Sequence, residues 1–118
     1  MLKDDVAEIM DKVKNAEEIV FATPIYYYEM CGQMKTLLDR LNPLYSADYA
    51  FRDIYMIATA AEAGPHVFEK AYNGLQGWVD CFPRCTLAGT VFAGGVNGVG
   101  DIAGHPALEQ AQRMGMEI

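Results

Sequence analysis

A chain of 118 residues, 52% of them hydrophobic, is long enough for one domain with a buried core. Its net charge of −7 argues against nucleic acid, which needs a basic patch, and its nine scattered Lys and Arg residues offer nothing to an anionic membrane surface. No apolar stretch approaches the ~20 residues that span a bilayer, and MLKDDVAEIM opens with acids where a secretory leader is basic and then apolar, so a cytoplasmic protein is expected.

Asp4 to Asn15 reads as a first helix, with Val6, Ile9, Met10 and Val13 on one stripe and Asp4 or Asp5 as its cap. Asn15-Ala16-Glu17 then turns the chain into an apolar strand, Ile19 to Thr23. Such continuous apolarity suits a parallel sheet covered on both faces. Thr23-Pro24 stops that strand, and three consecutive tyrosines and the Cys31-Gly32 break mark a loop from Thr23 to Gly32. A second helix, Gly32 to Leu41, ends before Asn42-Pro43. Leu44 to Arg52, with Tyr45, Tyr49 and Phe51, reads as a loop.

The second strand, Asp53 to Ala61, runs into Glu62-Ala63-Gly64-Pro65, again a loop at a strand's carboxyl end. The third helix, His66 to Phe82, carries an apolar face of Val67, Phe68, Ala71, Tyr72, Leu75, Trp78 and Val79. Trp78 belongs to the core rather than to a ligand stack. The third strand is Thr86 to Ala93, the loop Gly94 to Gly104 is glycine-rich, and the last helix begins near Pro106. A helix followed by three strand–helix repeats predicts a single α/β domain over residues 1–118 with a parallel sheet. Ligands of such sheets sit at the carboxyl ends of the strands, which makes Thr23 to Gly32 the place to look for chemistry.

Three cysteines build no disulfide framework, and Cys81 and Cys85 have neither redox-pair nor zinc-knuckle spacing. With His66 and His105 the only histidines, no metal cluster is expected. The thiols are expected to be reduced, with Cys31 set apart because it lies in the candidate ligand loop. The Gly94-Gly95 and Gly98-x-Gly100 cluster lacks the Lys of a phosphate loop and reads as turn chemistry.

Asp4-Asp5 opening a helix, Ile-Val-Phe-Ala-Thr-Pro-Ile-Tyr at 19–26, Gly32-Gln33-Met34-Lys35 and Leu38-Asp39-Arg40 together resemble the NAD(P)H-dependent FMN reductase family. The tail, from Gly100-Asp101-Ile102 through Gly104, Pro106-Ala107-Leu108 and Gly115, resembles its final loop and helix. The resemblance implies a flavodoxin-like three-layer α/β/α sandwich with strand order 2-1-3-4-5. Members open with a strand and a Ser- and Arg-containing loop that cradles the FMN phosphate. This chain begins at what would be the helix before the third strand, so about three strands and four helices are expected and the phosphate site maps onto no residue here.

By the resemblance, Thr23, Pro24, Ile25, Tyr26, Tyr27 and Tyr28 would line the isoalloxazine of FMN, while Ala60, Ala61, Glu62 and Gly64 would approach its pyrimidine edge. NAD(P)H would be the co-substrate, giving hydride to the flavin with electrons passing on to an acceptor and no side-chain base required. Read without the resemblance, the tyrosines cover an exposed end of the core and Glu62 is a solvated loop acid. The corresponding alternative function is a flavin-free remnant of the fold, acting in binding or assembly or inactive. In either case the strand Ile19 to Thr23 is left at a sheet edge, where it is expected to pair with another chain, most simply in a twofold dimer.

Overall fold

Eight uncharged positions in a row, Ile19 to Tyr26, carry the chain's first strand further than its sequence suggests. In the computed structural model, which describes residues 3–118, the elements are α1 (Val6–Asn15), β1 (Glu18–Tyr26), β2 (Glu29–Met30), α2 (Gly32–Arg40), β3 (Asp53–Thr59), α3 (Pro65–Asp80), β4 (Thr86–Ala93) and α4 (Pro106–Glu117). Met1 and Leu2, at the head of the stretch read for a leader, lie outside the described residues. The expected three parallel strands and four helices are present, with β2 as an addition.

The strands lie in the order β2-β1-β3-β4. β1 pairs in parallel with β3 from Glu18 opposite Asp53 to Pro24 opposite Thr59. β3 pairs in parallel with β4, with an irregularity between Ile54 and Tyr55. Thr23-Pro24 therefore does not end the strand, which continues to Tyr26. Proline is tolerated there because β1 is an edge strand along most of its length. The loop expected from Thr23 to Gly32 is thus largely ordered: Thr23–Tyr26 extend β1, and Glu29–Met30 fold back antiparallel on Ile25 and Tyr26.

One face of the sheet carries the main core. Phe21, Ile25, Ile54, Met56 and Ala58 meet Leu38 of α2 and Val67, Ala71, Leu75 and Val79 of α3, with Met10 and Val13 of α1 against them. The four α3 residues recur every fourth position, a stripe that holds the helix despite Gly74 and Gly77. The opposite face is covered by α4 alone, through Val91, Ala93 and Ala107 with Ile57, Val96, Ala111 and Met114. Covering on both faces, inferred from the apolar run, fails at β1, where Val20 is 44% exposed and Ala22 faces solvent.

The segment Leu44 to Arg52 is the second departure. It opens within a 3₁₀ helix, Asn42–Ser46, and then sinks Tyr49 and Phe51 into the core. Phe51 is fully buried, stacked on Tyr49 at 4.3 Å between ring centres and packed against Trp78 and Phe82. Arg52 caps the segment by donating to the carbonyls of Tyr49, Ala50 and Phe51. Asp4 ties the start of α1 to the end of α2 by accepting two bonds from Arg40, at 2.7 and 3.1 Å, and that pairing holds its carboxyl below the ordinary range.

Truncating Phe51 to alanine should cost about 3–5 kcal/mol of stability, the range for deleting a buried aromatic. Tyr45→Ala, whose side chain is 67% exposed, should stay within about 0.5 kcal/mol. Urea unfolding of the two variants checks the contrast.

Candidate functional site

Parallel pairing places the carboxyl ends of β1, β3 and β4 side by side, and the segments that leave them build one end of the molecule. From β1 comes the turn Tyr27-Tyr28; from β3 comes Ala60 to Gly64; from β4 comes the glycine-rich loop. The β3 and β4 ends are locked together by Ala60 N–H donating to Ala93 O at 3.0 Å and Val96 N–H donating to Ala60 O at 2.9 Å. Gly94 lies so close to Ala63 that a β-carbon there would meet its Cα at 3.1 Å. His105 bridges the same region, with Nε2 2.9 Å from Gly94 O and Nδ1 accepting from Ala107 N–H at the start of α4. The rest of the glycine-rich loop closes on itself: Asp101 accepts from the amides of Asn97 and Gly98, which lower its carboxyl pKa. That agrees with turn chemistry.

The turn from β1 is unusual. Tyr26 pairs with Glu29, so Tyr27 and Tyr28 are the two central residues of a hairpin, and both have positive φ, 51° and 67°. Two positive values define a type I′ turn, whose normal occupants are Asn and Gly. A side chain in this left-handed region costs roughly 1–2 kcal/mol per residue. Two interactions restrain the hairpin. Thr23 is buried, donating its hydroxyl to Pro24 O at 2.8 Å and accepting from Cys31 N–H at 3.0 Å, which ties the far arm back to β1. Tyr28 donates its hydroxyl to Glu62 Oε2 at 2.8 Å, joining the β1 turn to the β3 loop.

Between the two segments lies a crevice of about 250 Å³ lined by Ile25, Tyr27, Tyr28, Ala60, Ala61, Glu62 and Val67. Its floor is apolar, Tyr28 and Glu62 flank it, Tyr27 stands at its rim in solvent, and Ala60 and Ala61 are small. Six of the ten residues singled out in the sequence therefore meet here: Ile25, Tyr27, Tyr28, Ala60, Ala61 and Glu62. The other four stand elsewhere. Thr23 is turned inward, Pro24 and Tyr26 belong to the opposite face of β1, and Gly64 is the N-cap of α3 with φ 120°. A β-carbon on Gly64 would meet the His66 ring at 3.0 Å.

Val67 is an addition, legible in the sequence only as part of a helix face. A second hollow of about 470 Å³ adjoins through Tyr28 and is lined by His66, Glu69, Lys70 and Asn73. Lys70 Nζ sits 6.0 Å from the Tyr28 ring centre, and His66 Nε2 is 3.9 Å from Glu62 Oε1.

Two ionisable groups at this end are displaced from their ordinary values. The Tyr28 phenol is pushed up by its bond to Glu62 and by that carboxylate's charge, so it stays a protonated donor. The Cys31 thiol, at the N-cap of α2, is pulled down by Thr23 and by the amides of Met34 and Gln33. Among the described residues no group of His, Cys, Asp and Glu could hold a metal ion, and no helix is long and apolar enough to cross a membrane.

The comparisons with known proteins point the same way as the geometry. A model of the NADPH-dependent FMN reductase family matches residues 1–96. Over 50 residues the chain is 42% identical to an iron-sulfur flavoprotein of Archaeoglobus fulgidus, a match covering 42% of this chain and 26% of that protein. It is 27% identical to the putative NAD(P)H-dependent FMN-containing oxidoreductase YwqN of Bacillus subtilis, over 96% of this chain and 66% of that one. The chain thus spans from about a quarter to about two thirds of the length of these relatives. The Trp repressor binding protein of Bacillus subtilis superposes with a TM-score of 0.78 at 24% identity, over 92% of this chain and 74% of that one. The azoreductase AzrA superposes with a TM-score of 0.71 at 18% identity, over 96% of this chain and 62% of its own. At those identities the two structures establish the fold, which is flavodoxin-like.

Replacing Tyr27-Tyr28 by Asn-Gly should raise stability by about 1–2 kcal/mol, because the left-handed turn no longer strains two side chains; chemical denaturation measures it. Alkylation at graded pH should show Cys31 reacting with a midpoint below the ~8.5 of a free thiol. Cys85, buried and raised by desolvation, should stay unmodified until the protein unfolds.

Proposed function

The chain belongs to the NADPH-dependent FMN reductase family, and from that membership we propose that the crevice between Tyr27-Tyr28 and Ala60–Glu62 receives the isoalloxazine of FMN in an NAD(P)H-dependent oxidoreductase. Bound there, the flavin supplies a carrier that takes a hydride from NAD(P)H and passes electrons to an acceptor. The observation that carries this reading is the convergence of two strand-end segments on one mostly apolar crevice beside Tyr28 at the carboxyl edge of a parallel sheet, where ligands of such sheets sit.

What the chain's own residues would do follows from their chemistry. Ile25, Ala60 and Val67 give a flat ring an apolar seat, Tyr28 offers an aromatic face with its hydroxyl held by Glu62, and Tyr27 stands exposed at the rim. The Tyr28–Glu62 bond fixes the width of the crevice and keeps the Glu62 carboxylate turned to a donor rather than free to repel a ring that gains electrons. The lining contains no nucleophile paired with a base, which suits a reaction whose chemistry resides in the cofactor. It also contains no Lys or Arg, so the residues present fit the ring and leave the phosphate end outside the crevice. His66 and Lys70 in the adjoining hollow are cations available to an anionic portion of a ligand. The three free cysteines suit a reducing compartment, and the proposal extends to a cytoplasmic location. The Glu62 carboxylate in the lining and the lack of a cation there favour a second reading, a flavin-free member of the fold acting in binding or assembly.

Titration with FMN separates the two. The proposal expects a saturable change in the flavin's visible absorption and fluorescence, and oxidation of NAD(P)H by the loaded protein. Ala61→Phe, which fills the crevice from an exposed position, should weaken FMN at least about tenfold, or roughly 1.4 kcal/mol, with the far-ultraviolet dichroism unchanged. No spectral response with FMN on the order of millimolar would sink the flavin reading.

A further inference from the structure

On the face of the sheet that α1, α2 and α3 cover, two hollows remain between α3 and the β1–β2 hairpin, and Lys70 lines both. The first, of about 470 Å³, adjoins the crevice through Tyr28 and takes in His66, Glu69 and Asn73. The second, of about 260 Å³, lies beyond Lys70. Met30, Ala71 and Gly74 supply its apolar lining, and Glu29 and Lys35 its charges. Crevice, first hollow and second hollow are thus joined in series, by Tyr28 and then by Lys70.

Lys70 is left unneutralised. Its neighbours three and four positions away along α3 are His66, Val67, Asn73 and Gly74, none of them acidic. Among the described residues it takes no salt-bridge partner, whereas Lys12 and Lys35 are tied to acids four positions away. Its Nζ stands 6.0 Å from the Tyr28 ring centre. An ammonium placed between two concavities draws an anion. Each hollow also has a carboxylate of its own, Glu69 in the first and Glu29 in the second. Carboxylates repel phosphate but accept hydrogen bonds from ribose hydroxyls. Gly74 helps to keep the second hollow open. It is a poor helix former in the middle of α3, and a β-carbon there would meet Met30 Cε at 3.3 Å.

We propose that the two hollows form a dinucleotide groove, in which Lys70 meets the diphosphate and one nucleoside lies to either side. The order acid, cation, acid along the groove matches the order ribose, diphosphate, ribose along the ligand. A mononucleotide would use one hollow only. The apolar lining beyond Lys70 suits a purine, and the Tyr28 end directs the other nucleoside toward the crevice. A reduced nicotinamide dinucleotide laid this way brings its nicotinamide to the ring seated in the crevice. That last assignment deepens the flavin reading and rests on it; the groove's fit to a dinucleotide does not.

Equilibrium dialysis of the full chain against ADP-ribose, which has the diphosphate and both riboses but no nicotinamide, tests the groove without flavin. Saturable binding at millimolar concentration or below is expected, and added salt should weaken it. Lys70→Met keeps the stem of an exposed, unpaired side chain and removes its charge; it should weaken binding about tenfold. Gly74→Leu should abolish binding while raising the denaturation midpoint, because leucine is the better helix former, so that blockage is told apart from unfolding. No binding at millimolar ADP-ribose overturns the proposal, and so does binding indifferent to either variant. If Lys70→Met weakens FMN but not riboflavin, the ammonium serves the flavin's own phosphate and the proposal also falls. ADP-ribose binding without an FMN response removes the flavin reading alone, and an FMN response without ADP-ribose binding removes the groove alone.

Discussion

The parallel pairing of β1 with β3 is the interaction on which the molecule depends. It runs without interruption from Glu18 opposite Asp53 to Pro24 opposite Thr59. Because the two strands point the same way in fixed register, the turn after β1 and the loop after β3 must emerge at the same end and at the same height. The crevice follows from that alignment, and the Tyr28–Glu62 bond closes a distance the sheet has already set. α2 and α3 are the crossovers that parallel connection demands, and their apolar stripes supply the core beneath the site.

At the end of this rigid frame sits strained backbone. Two consecutive tyrosines in left-handed conformation are an expensive way to turn a hairpin, and the surroundings hold them there: Thr23 anchors Cys31 inside, Glu62 anchors Tyr28 outside. Strain retained where a small, polar turn would be more stable is a mark of functional sites. What it achieves is to hold the Tyr28 ring beside a floor of small and branched side chains and to present Tyr27 to solvent, something an Asn-Gly turn could not do.

The two faces of the sheet are finished to different degrees. Three helices cover one; one helix, placed over β4, covers part of the other. The bare edge and the bare face of β1 coincide, beside the crevice at the carboxyl ends of the strands.

The sequence by itself determined the class and most of the elements. Alternating apolar runs and helical stripes placed β4 at Thr86 to Ala93 and the four helices within a residue or two, and the glycines and prolines marked the loops at the strand ends. Six crevice residues were legible for the same reason, since they sit where parallel strands end. The hairpin was not legible, because Tyr-Tyr carries no turn signature and Pro24 reads as a stop; only pairing with β3 on one side and β2 on the other keeps that backbone extended. Nor was the burial of Tyr49 and Phe51, whose segment has no periodicity and is ordered by aromatic neighbours distant in sequence. Which face of β1 is covered, and the inward turn of Thr23, were decided by tertiary structure alone. The stretch Ile19 to Ala22 is equally apolar on both sides, and only the packing of helices against one of them tells the two apart.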